Sequence, residues 1–262
     1  FAEYEQALES VGAEVEHVLL KEEDEFRVQD SFIDWLHKDL DMVFLCNPNN
    51  PTGILTDREF LFRLLRVCRE MGIFLVVDEC FLDFIKEPEK HSLKAQLSRY
   101  HNLFLLKAFT KRYAMAGVRL GYGITENEEL LEKMTQATQP WNISIPAQAA
   151  GIAALGEVEY VERARKLIFA ESEYLSEELY KLGMTVFPSQ ANYLFFKGPE
   201  DLFEICVGQN VLIRDCSNYP GLGKGFYRVA VRTHEENERL IQAIHDGLME
   251  ARKKTQEEEG EE

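Results

Sequence analysis

Three apolar runs, at 42–46, 73–77 and 103–106, are short and unbroken, and each passes directly into a polar segment. Runs without alternation belong to strands buried on both faces, so they predict a mostly parallel sheet with helices on both sides. Between the first two runs, Phe60, Leu61, Leu64, Leu65 and Cys68 recur at helical spacing. Thr56 and Glu59 stand before them at capping-box spacing, and Gly72 stands after. The same reasoning predicts a helix over 2–12 with Tyr4, Ala7, Leu8 and Val11 on one face, and a strand over 14–20. A short helix over 31–40 turns Phe32, Trp35 and Leu36 inward. After the third run come a strand over 120–124, a helix over 126–138 opened by Thr125 and Glu128, and a turn at 140–144. A long helical stretch from about 146 to 182 breaks near Gly156.

The remainder changes rhythm. Short strands are expected near 185–187, 193–196, 211–213 and 226–231, with helices near 200–208 and 234–252, the last opened by Thr233 and Glu236. The whole reads as an α/β chain. A three-layer large domain occupies 1–160, a smaller α+β domain 161–252, and a charged, frayed tail 253–262. A formal charge of −17 argues against nucleic acid or an anionic membrane as partner. No apolar run has membrane-spanning length. Five cysteines, Cys46, Cys68, Cys80, Cys206 and Cys216, include no Cys-x-x-Cys pair, which fits a reducing cytoplasm and offers no metal site.

In open α/β sheets ligands bind beyond the carboxyl ends of the strands. There the first run delivers Asn47-Pro48-Asn49-Asn50-Pro51-Thr52-Gly53, which the two prolines are expected to hold extended. An ordinary turn uses the same residue types, but seven of them in one order make that reading weak. The second run delivers Asp78. A buried carboxylate needs a cation, and a protonated pyridine nitrogen is one; by position alone a helix cap explains Asp78 equally well. The third run leads to Lys111. A lysine amine turns nucleophilic when desolvation or nearby cations depress its pKa, and Lys107, Arg112 and Arg119 are close in sequence. A lone lysine is by default a surface residue. Ala116 and Gly117 are small enough to let the backbone approach a ligand.

Taken in order, the 47–53 segment, Val-Val-Asp-Glu at 76–79, Thr-Lys at 110–111 and Ala-Gly-Val-Arg-Leu-Gly-Tyr at 116–122 resemble class I/II aminotransferases of fold type I. Asp78 lies 28 residues after Asn50 and 33 before Lys111, and the resemblance runs over residues 1–248. It implies a pyridoxal-phosphate enzyme. Lys111 would form the Schiff base, Asp78 would pair with the pyridine nitrogen, and Asn50 would hold the phenolic oxygen. Thr110 and Arg119 match positions that contact the cofactor phosphate. Phe1 matches the aromatic that stacks on the ring, with Cys80 against the other face. Arg228 matches the arginine that grips the substrate's acidic group, and Arg214 a second anion position in the branch that handles phosphorylated substrates. A surface ion pair is the plain alternative for both arginines.

Within the family, Phe81, the 107–111 stretch, 140–142 and 231–233 look more like threonine-phosphate decarboxylases, which serve cobalamin synthesis. Histidinol-phosphate aminotransferases are the alternative, and a truncated remnant that does not hold the cofactor is the non-enzymatic one. Complete members carry a further stretch before the position of Phe1, whose backbone amides bind the cofactor phosphate. The 262-residue chain by itself is therefore expected to bind the cofactor weakly or not at all. Members pair as homodimers with sites at the interface, so a homodimer is expected for the full-length protein.

Overall fold

The computed structural model describes residues 1–260. Two four-stranded sheets organise them. In the first, β1 (Met42–Cys46), β2 (Phe74–Asp78) and β3 (Leu103–Ala108) run parallel, and β4 (Gly121–Ile124) closes the order β1-β2-β3-β4 antiparallel to β3. Helix α2 (Arg58–Met71) lays Phe60, Leu61, Leu64, Leu65 and Cys68 on this sheet, where they meet Leu75, Val77, Leu103 and Leu105. Its cap is Asp57 rather than Thr56: the Asp57 carboxylate accepts the Glu59 and Phe60 N–H groups at 2.7 and 3.1 Å. Thr56 is buried instead, its N–H donating to Asn47 Oδ1 at 2.7 Å. Gly72 stops the helix in the left-handed conformation at φ +79°.

The second sheet, β5 (Thr185–Val186), β6 (Tyr193–Lys197), β7 (Arg214–Asp215) and β8 (Phe226–Ala230), is antiparallel with order β5-β6-β8-β7. Its core joins Leu175 and Leu179 of α6 (Val158–Lys181), Leu202 and Cys206 of α7 (Leu202–Gly208), and Ile244 of α8 (His234–Gly260) to Leu194 and Phe196. A third cluster knits the two sheets together: Phe26, Phe187, Phe195 and Phe226 pack with Ile54 and Cys216. Gly53 seals this junction. Its carbonyl accepts the Gln190 N–H at 2.8 Å, and a Cβ there would stand 1.9 Å from Ser189 Oγ. The loop after β1 is thereby fixed against the second sheet.

Several expectations change. No strand forms over 14–20; its polar members instead meet other side chains, His17 to Glu5 and Glu16 to His37. Helix α1 (Ala2–Glu9) ends before Val11, which is 79% exposed. The 31–40 helix is a 3₁₀ segment, Asp30–Trp35, too short to turn Trp35 inward. Asn127, not Thr125, caps α4 (Glu128–Ala137), because the Thr125 hydroxyl donates to the Leu103 carbonyl at 2.7 Å. Helices α5 (Ile145–Leu155) and α6 do separate at Gly156. The strand expected at 211–213 lies at 214–215, and α8 carries the charged tail as helix through Gly260. Residues 261 and 262 of that tail lie outside the described ones. No described helix is long and apolar enough to cross a membrane.

Candidate active site

The first three strands end level. Cys46 pairs with Asp78 across β1 and β2, and Asp78 with Leu106 across β2 and β3, so the polar segments after them emerge at one edge. The 47–53 segment is a closed turn rather than an extended loop. Gly53, at φ +72°, donates to the Asn49 carbonyl at 2.7 Å, and Asn49 donates to that of Ile54 at 2.9 Å. Asn50 is buried in this turn, and its Oδ1 accepts from Arg228 Nη1 and, at 3.3 Å, from the Tyr219 hydroxyl.

The Asp78 carboxylate accepts the Cys80 N–H at 2.9 Å on one oxygen and the Tyr4 hydroxyl on the other. Tyr4 reaches it from α1 by stacking on Phe44 at 5.4 Å. Burial, with the charges of Cys46 and Asp78 behind it, pushes the Tyr4 phenol far above its ordinary pKa, so it stays a donor. The Cys80 thiol is also raised, first by burial and then by Asp78.

Beside Asp78, the acids have cations. Buried Glu79 takes Lys107 Nζ at 3.0 Å and the Ser92 hydroxyl at 2.9 Å; Asp83 takes Arg112 at 2.8 Å. Among the described residues Asp78 has no cationic side-chain partner. Of the basic residues near Lys111 in sequence, Lys107 and Arg112 turn to these acids. Lys111 itself, on the single turn α3 (Phe109–Arg112), is exposed, with Nζ 5.4 Å from the centre of the Phe81 ring.

Lys111 opens into a cavity of about 720 Å³ that Phe81, Tyr193, Arg214 and Arg228 also line. Arg214 and Arg228 face each other directly across β7 and β8. Like charges in that relation repel. Arg228 lies over the Tyr193 ring at 4.9 Å; Arg214 lies over Tyr219 at 5.9 Å and donates to Asn218 at 3.0 Å.

The other candidates stand apart from the cavity. Thr110 is half-buried next to Lys111. Arg119 is exposed, in the left-handed region at φ +58°, and donates to the Ala116 carbonyl at 3.2 Å. Gly117 has open space where a Cβ would stand. Phe1 is 52% exposed and meets Tyr4 edge-on at 5.5 Å. Three tyrosines escaped the sequence reading. Tyr4 counted only as an apolar helix position and Tyr193 only as a strand residue. Tyr219 sits in a loop with no periodicity to mark it.

A family model described as aminotransferase class I and II matches residues 1–244. Among curated proteins, the threonine-phosphate decarboxylase of Salmonella typhimurium is 36% identical over 252 residues, covering 95% of this chain and 69% of that protein. A histidinol-phosphate aminotransferase of Desulfitobacterium hafniense is 37% identical over 258 residues, with the same coverage of 95% and 69%. Among solved structures, the histidinol-phosphate aminotransferase of Clostridium acetobutylicum superposes with a TM-score of 0.88 at 32% identity, covering 93% of this chain and 74% of that one. The chain belongs to the class I and II aminotransferase family of pyridoxal-phosphate enzymes.

Proposed function

We propose that the cavity beside Lys111 acts on a small phosphorylated amino acid, and that the reaction is decarboxylation of threonine phosphate. The observation that carries this reading is the pair Arg214 and Arg228, opposed across two strands and opening on the same cavity as Lys111. Two guanidinium groups held against their mutual repulsion suit an anionic ligand with two acidic groups, each able to take a bidentate fork.

The donor set also fits the cofactor. Asp78 is a carboxylate held by two neutral donors and no cation, which suits a protonated pyridine nitrogen. Asn50 would hold the ring's phenolic oxygen, Lys111 would hold the cofactor covalently, and Thr110 and Arg119 would take its phosphate. Phe1 and Cys80 would flank the ring. When bound, pyridoxal phosphate supplies an electron sink for the bond broken at the substrate's Cα. Arg228 and Arg214 orient the substrate by its acidic groups, and so decide which Cα bond is aligned to break.

Phe81 favours the decarboxylase over the aminotransferase, since it places no hydroxyl where many relatives carry tyrosine. The assay supplies O-phosphothreonine and follows carbon dioxide. Release that Arg228→Ala lowers about 100-fold in kcat/KM supports the reading. Amino transfer from histidinol phosphate without carbon dioxide release overturns it in favour of the second. The full-length protein is further proposed to pair with a second copy of itself, which would cover the exposed apolar residues Ile145, Ile152, Leu155 and Val158. Light scattering is expected to give twice the chain mass, and a monomer contradicts it.

A further inference from the structure

We infer that Tyr219 is a positioning residue for Asn50, an inference that rests on the cofactor assignment above. The two ends of an asparagine amide are told apart by their partners. Arginine carries donors only, so the end of Asn50 that meets Arg228 is the oxygen. The Tyr219 hydroxyl approaches that same oxygen at 3.3 Å. A carbonyl oxygen has two lone pairs, and here both face a donor. The planar amide is then held in one orientation, with Nδ2 as the end left to donate to the cofactor's phenolic oxygen.

Among the described residues no other hydroxyl donates to Asn50. Tyr4 donates to Asp78, Tyr193 donates to the Asn49 carbonyl at 2.7 Å, and Phe81 has no hydroxyl. Tyr219 is fixed at both ends. Its N–H donates to the Cys216 carbonyl at 3.0 Å, its carbonyl accepts from Leu222 at 3.0 Å, and its ring packs on the Phe26–Phe226 cluster. The face of that ring carries Arg214. Tyr219 thus ties both arginines to the amide that holds the ring oxygen: Arg214 through its ring, Arg228 through the shared Asn50 oxygen. At 3.3 Å the contact is longer than the usual hydroxyl bond, so a modest effect is expected.

The test is a double-mutant cycle of Tyr219→Phe and Asn50→Ala, read twice. In the cofactor-free chain, the two losses in thermal midpoint are expected to be less than additive; strictly additive losses overturn the inference. With pyridoxal phosphate added, the readout is the pH midpoint of the visible band of the Lys111–cofactor linkage. A donor on the phenolic oxygen draws negative charge away from the linkage proton. Loosening that donor should therefore raise the midpoint, by about half a pH unit for a weak hydrogen bond. Tyr219→Phe is expected to give this rise with Asn50 present and none in Asn50→Ala. An equal shift in both backgrounds, or none in either, overturns the inference. A folded wild-type chain with no band shows that this chain does not hold the cofactor by itself, and the cofactor-free cycle then decides the role of Tyr219.

Discussion

Helices α2 and α4 are written in the same code and come to different ends. Both are amphipathic, and both are capped by an acid or amide side chain that accepts first-turn N–H groups. Helix α2 buries five residues against β1–β3. Helix α4 buries none, and Leu131 and Met134 are 41% and 42% exposed. The candidate site divides in a similar way. Asn50, Asp78 and Arg228 are held by hydrogen bonds, Asn50 to Arg228 and Tyr219 and Asp78 to Tyr4, whereas Lys111 and Arg119 stand exposed. An amphipathic pattern specifies which face of an element is apolar; whether that face is covered depends on what folds against it.

The largest effect expected from this contrast is electrostatic. Removing one partner from a buried ion pair leaves an uncompensated charge, so Lys107→Ala, which strands Glu79, should lower unfolding free energy by roughly 3–5 kcal/mol in a denaturant titration. Arg63→Ala breaks an exposed pair with Asp30 and should change it by less than about 1 kcal/mol. Equal effects from the two would break the comparison.

Packing should divide the same way. Leu64→Ala in α2 empties a fully buried position and should cost about 2–5 kcal/mol. Leu131→Ala in α4 should stay within about 0.5 kcal/mol, because the side chain is already solvated in this chain. Both values come from the same titration.

The smallest effect is pH-linked. Burial pushes the Cys46 and Cys68 thiols up to about 12 and those of Cys206 and Cys216 up to about 11, against an ordinary value of 9.0. The folded chain therefore keeps these protons after the unfolded chain has begun to lose them. Their contribution to stability is complete below pH 9 and falls away as pH rises from there toward 11 or 12. The thermal midpoint should decline above pH 9, less steeply in Cys68→Ala than in the wild type. An identical slope in the two would remove Cys68 from the account.

What the sequence made legible follows from the range of the interactions. The parallel strands, the α2 stripe and the break at Gly156 are local patterns, and they are where periodicity and capping chemistry place them. The cap of α2 differs from the capping-box reading because Asp57, the stronger N-cap residue, stands directly after Thr56. The side-chain amide oxygen of Asn47, nine positions away, takes the Thr56 N–H, and Asp57 caps the helix. The site was legible as far as its residues follow strands in order. The contacts that orient those residues were not, because Tyr4 meets Asp78 across 74 positions and Tyr219 meets Asn50 across 169. Lys107, Arg112 and Arg119 are close to Lys111 in sequence, but the acids that take Lys107 and Arg112 carry no signal of their own geometry there.

The central claim is that Lys111, at the end of β3, is the residue that holds pyridoxal phosphate. A titration of the chain with the cofactor, carried to saturation and followed by visible absorbance, tests it most directly when run beside Lys111→Ala. The account predicts a saturable band in the wild type that is absent from the variant. The same saturable band in Lys111→Ala, from a variant shown by circular dichroism to be folded, would contradict it.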